Sequence, residues 1–108
     1  MIIREWGATV TVDREKDYLS IVRRLVLPAL AGHQGYQGAT FARRSDGEHV
    51  RYQVISYWAS WQAIQDFAGS DPEVAYIPDE IVATLEDFDR SVRHYEVEIG
   101  HELQRLSD

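Results

Sequence analysis

An Asp-Gly pair near the middle of the chain, Asp46-Gly47, is the feature that most limits how this sequence can fold. It lies between two runs of alternating apolar and polar residues, 39–44 and 49–58. Asp-Gly favours the tight turn of an antiparallel hairpin, because glycine adopts a positive φ without steric cost. The sequence therefore predicts a turn at residues 45–48 with one strand on each side of it.

The chain before this hairpin predicts one strand and one helix. Residues 2–12 alternate in the manner of a strand, and Asp13 offers a side-chain cap for the helix that follows. Apolar residues then recur at three- and four-residue spacing to about Leu30, as on the buried side of an amphipathic helix. Pro28 is placed to kink or end this helix, and residues 31–38 form a glycine-spaced loop.

The chain after the hairpin predicts further helix. Ser60 is placed to cap a short helix that ends at Gly69. Asp71 and Pro72 resemble the start of another helix, with Asp71 as the cap and Pro72 in the first helical position. The apolar pattern beyond them continues toward Asp89, and we expect it to be helical.

Residues 91–99 alternate again and predict the last strand, so that the element order is β-α-β-β-α-β. Two right-handed crossovers around a hairpin give a ferredoxin-like α+β fold: a four-stranded antiparallel sheet with the helices on one face. We expect residues 1–100 to form this single domain and residues 101–108 to form a polar tail. The other sheet face carries Ile55 and Tyr57, which favours pairing with a second copy of the chain over a monomer with one solvated face.

Composition excludes several classes of function. The net charge of -7, from 18 acidic and 11 basic residues, argues against nucleic acid and anionic membranes as partners. A small anionic molecule remains compatible, since a local basic group can oppose the global charge. The chain has no cysteine, which excludes disulfides and thiolate chemistry. The first residues turn polar too early for a signal peptide and no apolar run reaches spanning length, so we expect a cytoplasmic protein.

The stretch 54–69, VISYWASWQAIQDFAG, is the most specific pattern in the chain. A strand ends in Trp58, a serine caps the next helix, and the helix closes with Phe-Ala-Gly. Together with His-Tyr-Glu-Val at 94–97 and Gly-Tyr-Gln-Gly at 35–38, it resembles the antibiotic biosynthesis monooxygenase family of dimeric α+β barrels. The resemblance implies a homodimer with a cavity between sheet and helices. It also implies oxidation of an aromatic compound by oxygen, without a metal or flavin cofactor.

Departures from that family limit what the resemblance implies. Its quinone-forming and haem-degrading branches rely on an Asn and a Trp near the cavity, and this chain contains no Asn. Phe67 stands where the haem degraders have their Trp, and Ile77 stands where they have a His on the second helix. The resemblance therefore supports the fold more strongly than any reaction.

His94 is the best candidate for a catalytic residue, because an imidazole titrates near neutral pH and can act as a base toward a phenol. Glu96 shares its strand face and is a candidate for orienting it. The simpler alternative is a histidine that is hydrogen-bonded within the sheet packing. No spacing of His and carboxylate residues indicates a metal site.

Aromatic residues are the candidates for binding a substrate in the cavity. Indole rings would stack on a flat ligand, and tyrosine hydroxyls would donate hydrogen bonds to it, although each residue is equally compatible with the core or an interface. The candidates are Trp6, Tyr52, Trp58, Phe67 and Tyr76. Arg4 and Arg51 lie on strands and could hold a carboxylate, but cross-strand salt bridges are the simpler account.

Two functions follow from these residues. The first is a cofactor-independent monooxygenase acting on a small aromatic or polycyclic compound. The alternative is a non-catalytic homodimer of the same fold that binds a small hydrophobic or aromatic ligand. Haem binding or degradation is a less favoured version of this alternative.

Overall fold

A five-stranded antiparallel sheet forms the centre of the computed structural model, which describes residues 1–75 and 77–103. The strands run in the spatial order β2-β3-β1, with β4 and β5 both paired to the free side of β1. The strands are β1 Ile2–Thr11, β2 Tyr36–Asp46, β3 His49–Trp58, β4 Asp87–Phe88 and β5 Arg93–Glu96. This confirms the α+β, ferredoxin-like fold, with the fourth strand position divided between two short strands.

The hairpin forms where the sequence predicts it. Asp46 pairs with His49, so the loop between the strands is only two residues long. Gly47 takes the first of these positions at φ 64°, a conformation that favours glycine. Strand β2 begins at Tyr36, earlier than predicted, because pairing with β3 continues past a bulge between Tyr36 and Gly38.

The first helical stretch continues past Pro28 instead of ending there. It consists of a 3-10 turn at Val12–Arg14, helix α1 at Glu15–Ile21, a π segment at Val22–Val26 and helix α2 at Leu27–Ala31. In the π segment the N–H of Leu27 donates to the carbonyl of Val22, five residues back. Such a wide turn just before proline accommodates a residue that cannot donate a backbone hydrogen bond.

The prediction of a helix from Asp71 is wrong. After helix α3, Trp61–Ala68, the next helix is the four-residue α4 at Asp79–Val82. Val74 instead forms a bridge with Ser91, and the N–H of Val92 donates to the carbonyl of Glu73. Prolines at 72 and 78 leave too few residues between them for a stable helix, and pairing with the segment before β5 satisfies the backbone instead.

The prediction that the apolar pattern toward Asp89 is helical is also wrong at its end. Asp87–Phe88 is a strand whose residues pair with Thr9 and Ala8 of β1. The predicted last strand, 91–99, is shorter in the structure and spans Arg93–Glu96. The predicted tail, 101–108, falls within the described residues only as far as Leu103.

The core lies on one face of the sheet, beneath the helices. One cluster joins β1 and β3 to α1 and α4. A second joins β1, β3 and α2 to α3. The two clusters comprise Val10, Tyr18, Val22, Val50, Tyr52 and Ile81, and Ile2, Leu30, Trp58, Ala63 and Ile64. No helix among the described residues is long and apolar enough to span a bilayer.

The opposite face of the sheet carries the alternate residues of each strand, and the core clusters do not include them. Ile3, Ile55 and Tyr57 are only half-buried there, and Tyr95 is 50% exposed. We call these four residues the outer apolar patch. It lies at the end of the sheet where β5 pairs with β1.

Candidate functional site

A cavity of about 120 Å³ lies between the helix-side face of the sheet and the helices. Its walls are mostly apolar, which suits a hydrophobic ligand. The aliphatic and phenyl side chains on the walls include Val22, Val26, Leu30, Phe41, Val54 and Ile81. Polar atoms enter the walls from Arg4, Tyr18 and Ser56.

His94 lies on this same helix-side face. The register of β5 places it opposite Arg4 of β1, and its Nε2 is 3.0 Å from Arg4 Nη1. The ring of Trp61 covers its other side, with centroids 5.2 Å apart. His94 is therefore behind the cavity wall and reaches the cavity through Arg4, which lines it.

Burial holds the pKa of His94 below its usual range, and the charge of Arg4 lowers it further, while Glu73 raises it in part. The imidazole is therefore neutral at pH 7. Because the Arg4 guanidinium can only donate, Nε2 is the accepting nitrogen and the imidazole proton lies on Nδ1.

Glu96 lies two residues beyond His94 on β5, opposite Ile2, and is exposed. Within residues 1–75 and 77–103, the hydrogen-bond partner of His94 is Arg4, and Glu96 donates nothing to it and accepts nothing from it. The sequence places Glu96 and His94 on one strand face, but the structure does not bring the two side chains together.

Arg4 is the buried charge of the site, with only 8% of the residue exposed. Its Nη1 donates to the carbonyl of Pro72 at 2.6 Å as well as facing His94. Its guanidinium carbon lies 5.7 Å from the centre of the Phe67 ring. Burial lowers the pKa of Arg4 to about 10, so the side chain remains protonated at neutral pH.

The aromatic candidates occupy different positions around the cavity. Trp6 and Phe67 line it directly. Trp58 is fully buried behind it, stacked on Phe67 with centroids 4.9 Å apart, and its Nε1 donates to Ser56 Oγ at 2.8 Å. Trp58 therefore supports the wall that Phe67 presents.

Tyr52 is also behind the wall. It is 2% exposed, and its hydroxyl donates to Glu15 at 2.5 Å, on the side of β3 that faces α1. Burial raises the pKa of Tyr52 to about 12, and the Glu15 carboxylate adds to this rise. Tyr76, the remaining candidate, lies outside the described residues.

Tyr18 belongs to the apolar stripe that the sequence predicts for the first helix, and the structure also places it on the cavity wall. It is buried on α1 and lines the cavity, and burial raises its pKa above the usual range. The signal in the sequence is the tyrosine hydroxyl, because the other residues of the buried stripe on this helix are aliphatic. Among residues 1–75 and 77–103, no cluster of three or more His, Asp and Glu side chains is placed to hold a metal ion.

The fold and cavity define a ferredoxin-like α+β protein with a mostly apolar cavity on the helix side of its sheet. No protein-family model matches the sequence, and neither does any curated protein. Solved structures do match over nearly the full length. One is a candidate antibiotic biosynthesis monooxygenase from Bordetella bronchiseptica, 18% identical over 91% of this chain and 97% of that chain, with a TM-score of 0.66.

Two further structures share the fold and carry more specific names. SnoaB, a cofactor-independent oxygenase from Streptomyces nogalater, is 11% identical over 94% of this chain and 97% of that chain, with a TM-score of 0.62. A variant of MhuD with two manganese protoporphyrin IX molecules bound per active site is 19% identical over 94% and 98%, with a TM-score of 0.61. The chain therefore has the antibiotic biosynthesis monooxygenase fold, as the resemblance predicts.

Proposed function

We propose that this protein is a cofactor-independent monooxygenase that oxidises a small aromatic compound bound in the helix-side cavity. The observation that carries the proposal is the cavity itself, which combines aromatic and aliphatic walls with a buried cation at Arg4. Trp6 and Phe67 would contact the faces of the substrate ring. The fold shared with SnoaB, named a cofactor-independent oxygenase, supports the reaction class.

The chemistry requires the substrate to supply the electrons. Deprotonation of a phenol or an anthrone gives an electron-rich anion that reacts with oxygen. One oxygen atom then becomes the new carbonyl oxygen of a quinone, and the other leaves as water. For an anthrone, this water takes both hydrogens of the oxidised ring methylene; for a phenol, it takes the hydroxyl hydrogen and the hydrogen of the oxidised ring carbon. A neutral histidine and a nearby cation are the groups this step needs, one to take the proton and the other to stabilise the anion.

We assign the proton-accepting role to His94. A substrate hydroxyl that takes the place of Arg4 Nη1 would donate to Nε2, which is 3.0 Å from that nitrogen in the structure. Arg4 would then face the anion that forms. Tyr52 and Trp58 support the cavity walls from behind. Glu96 would orient His94 only if its exposed carboxylate moved toward the imidazole.

Incubation with a panel of hydroquinones and anthrones in oxygenated buffer tests the proposal. We expect quinone absorbance to appear together with oxygen uptake, and His94→Ala to lower the rate by about 100-fold, as is typical for loss of a general base. His49→Ala is the matched control, because His49 is an exposed histidine on the far end of β3. Rates equal to those of heat-inactivated protein across the panel would refute the proposal.

A non-catalytic binding protein is the second candidate, and one observation favours it. Nε2 of His94 is already occupied by Arg4, so the base is engaged before a substrate arrives. Ligand binding without oxygen uptake would support this candidate. A Soret shift on adding haem would favour its haem-binding version. A homodimer is part of either proposal, and the cytoplasmic location stays a prediction from the sequence.

A further inference from the structure

Arg4 is the buried cation of the cavity wall. Among residues 1–75 and 77–103, its side chain forms no ion pair, although four other arginines of the chain do. Those four are Arg24, Arg43, Arg51 and Arg93, all of them exposed. Burying a charge costs free energy unless an opposite charge or several hydrogen bonds compensate it. Other described arginines also form no ion pair, but they are exposed, so Arg4 is the one described arginine that is buried without a counter-ion among the described residues.

The hydrogen bonds of Arg4 leave one side of the guanidinium available. Nη1 uses its hydrogens on Pro72 and His94. Nε and Nη2 have no hydrogen-bond partner among the described residues. Every fully buried side-chain nitrogen there does have such a partner. Arg4 lines the cavity, so these two nitrogens are the donors that remain for a ligand bound there. Nε and Nη2 are the pair of donors that a carboxylate engages side-on.

The guanidinium is also held in place before any ligand arrives. The carbonyl of Pro72 and the ring of Phe67 contact it from separate elements of the fold, and neither contact involves the His94 nitrogen that a substrate hydroxyl would occupy. Fixing a long side chain in advance removes much of the entropy cost of binding. The net charge of -7 does not decide the charge of the site, because Arg4 is the one charged residue among the described residues that line the cavity.

We infer that the ligand of this cavity is an aromatic carboxylate, with its ring between the apolar walls and its carboxylate on Nε and Nη2 of Arg4. The inference rests on the proposed function for the aromatic part of the ligand and adds the anionic group. It makes Arg4 a specificity-determining residue, which selects acids over neutral compounds of the same shape.

Calorimetric titration with 2-naphthoate and 2-naphthamide tests the inference, because the two probes share shape and ring but differ in charge. We expect the purified protein to bind naphthoate at least about tenfold more tightly than the amide, the range of a charge-assisted pair. Arg4→Gln should remove this preference and leave amide binding within about twofold. Arg51→Gln, which changes an arginine on the opposite sheet face, should change neither affinity.

Equal affinities for both probes, binding of neither probe, or an unchanged preference in Arg4→Gln would overturn the inference. If Arg4→Gln does not fold, as judged by circular dichroism, Arg4→Lys replaces it. Lysine keeps the charge and loses the side-on pair of donors, so the preference should fall without vanishing. If the protein selects naphthoate but no hydroquinone or anthrone causes oxygen uptake, this inference stands and the monooxygenase is rejected. If the protein oxidises uncharged anthrones but does not select naphthoate, the monooxygenase stands and this inference is rejected.

Discussion

Arg4 and Arg51 show how one residue type on neighbouring strands takes two roles. Arg51 points to the outer face, where its Nη2 lies 3.1 and 3.2 Å from the two carboxylate oxygens of Asp89. Gly7 leaves room for it, since a Cβ there would approach Arg51 Nη2 to 2.3 Å. Arg4 lies on the opposite, helix-side face of the sheet and lines the cavity, where no carboxylate of the described residues pairs with it. The strand face thus separates an ion-paired arginine from the arginine that we propose as the carboxylate site.

His94 makes stability depend on pH in a predictable direction. Burial and Arg4 lower its pKa in the folded state, so the unfolded chain binds the proton more tightly. Its stabilising contribution is therefore complete above pH 6.5, the unfolded value, and is lost as the pH falls through the lower folded value. We expect His94→Gln, which can still accept from Arg4, to lose less thermal stability than the parent protein between pH 7 and pH 5.

Differential scanning calorimetry of both proteins at the two pH values measures this difference. The other groups around His94, namely Arg4, Glu73 and Trp61, are present in both proteins, so their contributions largely cancel in the comparison. An equal or larger loss of stability in the glutamine variant would contradict the assigned direction.

Helix α3 is fixed by signals at its two ends. Ser60 Oγ accepts a hydrogen bond from the N–H of Ala63 at 3.2 Å, and Gly69 closes the helix at φ 86°. Ser60→Ala removes the cap without disturbing the core, because Ser60 is exposed. We expect it to lower the free energy of unfolding by about 1 kcal/mol in urea denaturation.

The matched control is Ser20→Ala, an exposed serine within α1. Alanine has the higher helix propensity, so this change should leave stability unchanged or raise it slightly. If both variants lose the same stability, the capping bond of α3 contributes nothing.

Local signals explain which elements could be predicted from the sequence. Asp46-Gly47 and the Ser60 cap act within a few residues, and both were placed correctly. The two ends of region 71–89 differ from the predicted helix because they depend on distant partners: Val74 pairs with Ser91, and Phe88 pairs with Ala8. Spacing of apolar residues alone does not distinguish a buried strand from a helix of the same length.

The residues of the candidate site also divide into those that local sequence signals predict and those that depend on distant partners. The sequence predicts five aromatic residues as ligand contacts, and of these Trp6 and Phe67 line the cavity, whereas Trp58 and Tyr52 lie behind its wall. It does not predict that Tyr18 is a wall residue, or that Arg4 pairs with no carboxylate of the described residues. Whether a carboxylate reaches an arginine is decided by the register of β1 against β5 and β3, and that register has no local signal.

The molecule as a whole leaves the outer apolar patch of Ile3, Ile55, Tyr57 and Tyr95 without a cover from the core clusters. A second copy is the partner we propose, because the same patch on both chains can pair around a two-fold axis. The polar residues beside it, Glu5 with Gln53 and Arg93, would then form the rim of the interface. The cavity lies on the other sheet face and stays accessible in such a dimer.

Ile55→Glu tests this arrangement by placing a carboxylate near the centre of the patch. Two such charges would face each other across the interface without compensation, so we expect the dimer to dissociate while the monomer keeps its circular dichroism spectrum. Light scattering coupled to size-exclusion chromatography measures the mass. Val82→Glu is the control, since Val82 is a similarly small, partly exposed apolar residue on α4 and should leave the mass unchanged. A parent protein that elutes as a monomer at every concentration would contradict the dimer, and the outer apolar patch would then be solvated in the native state.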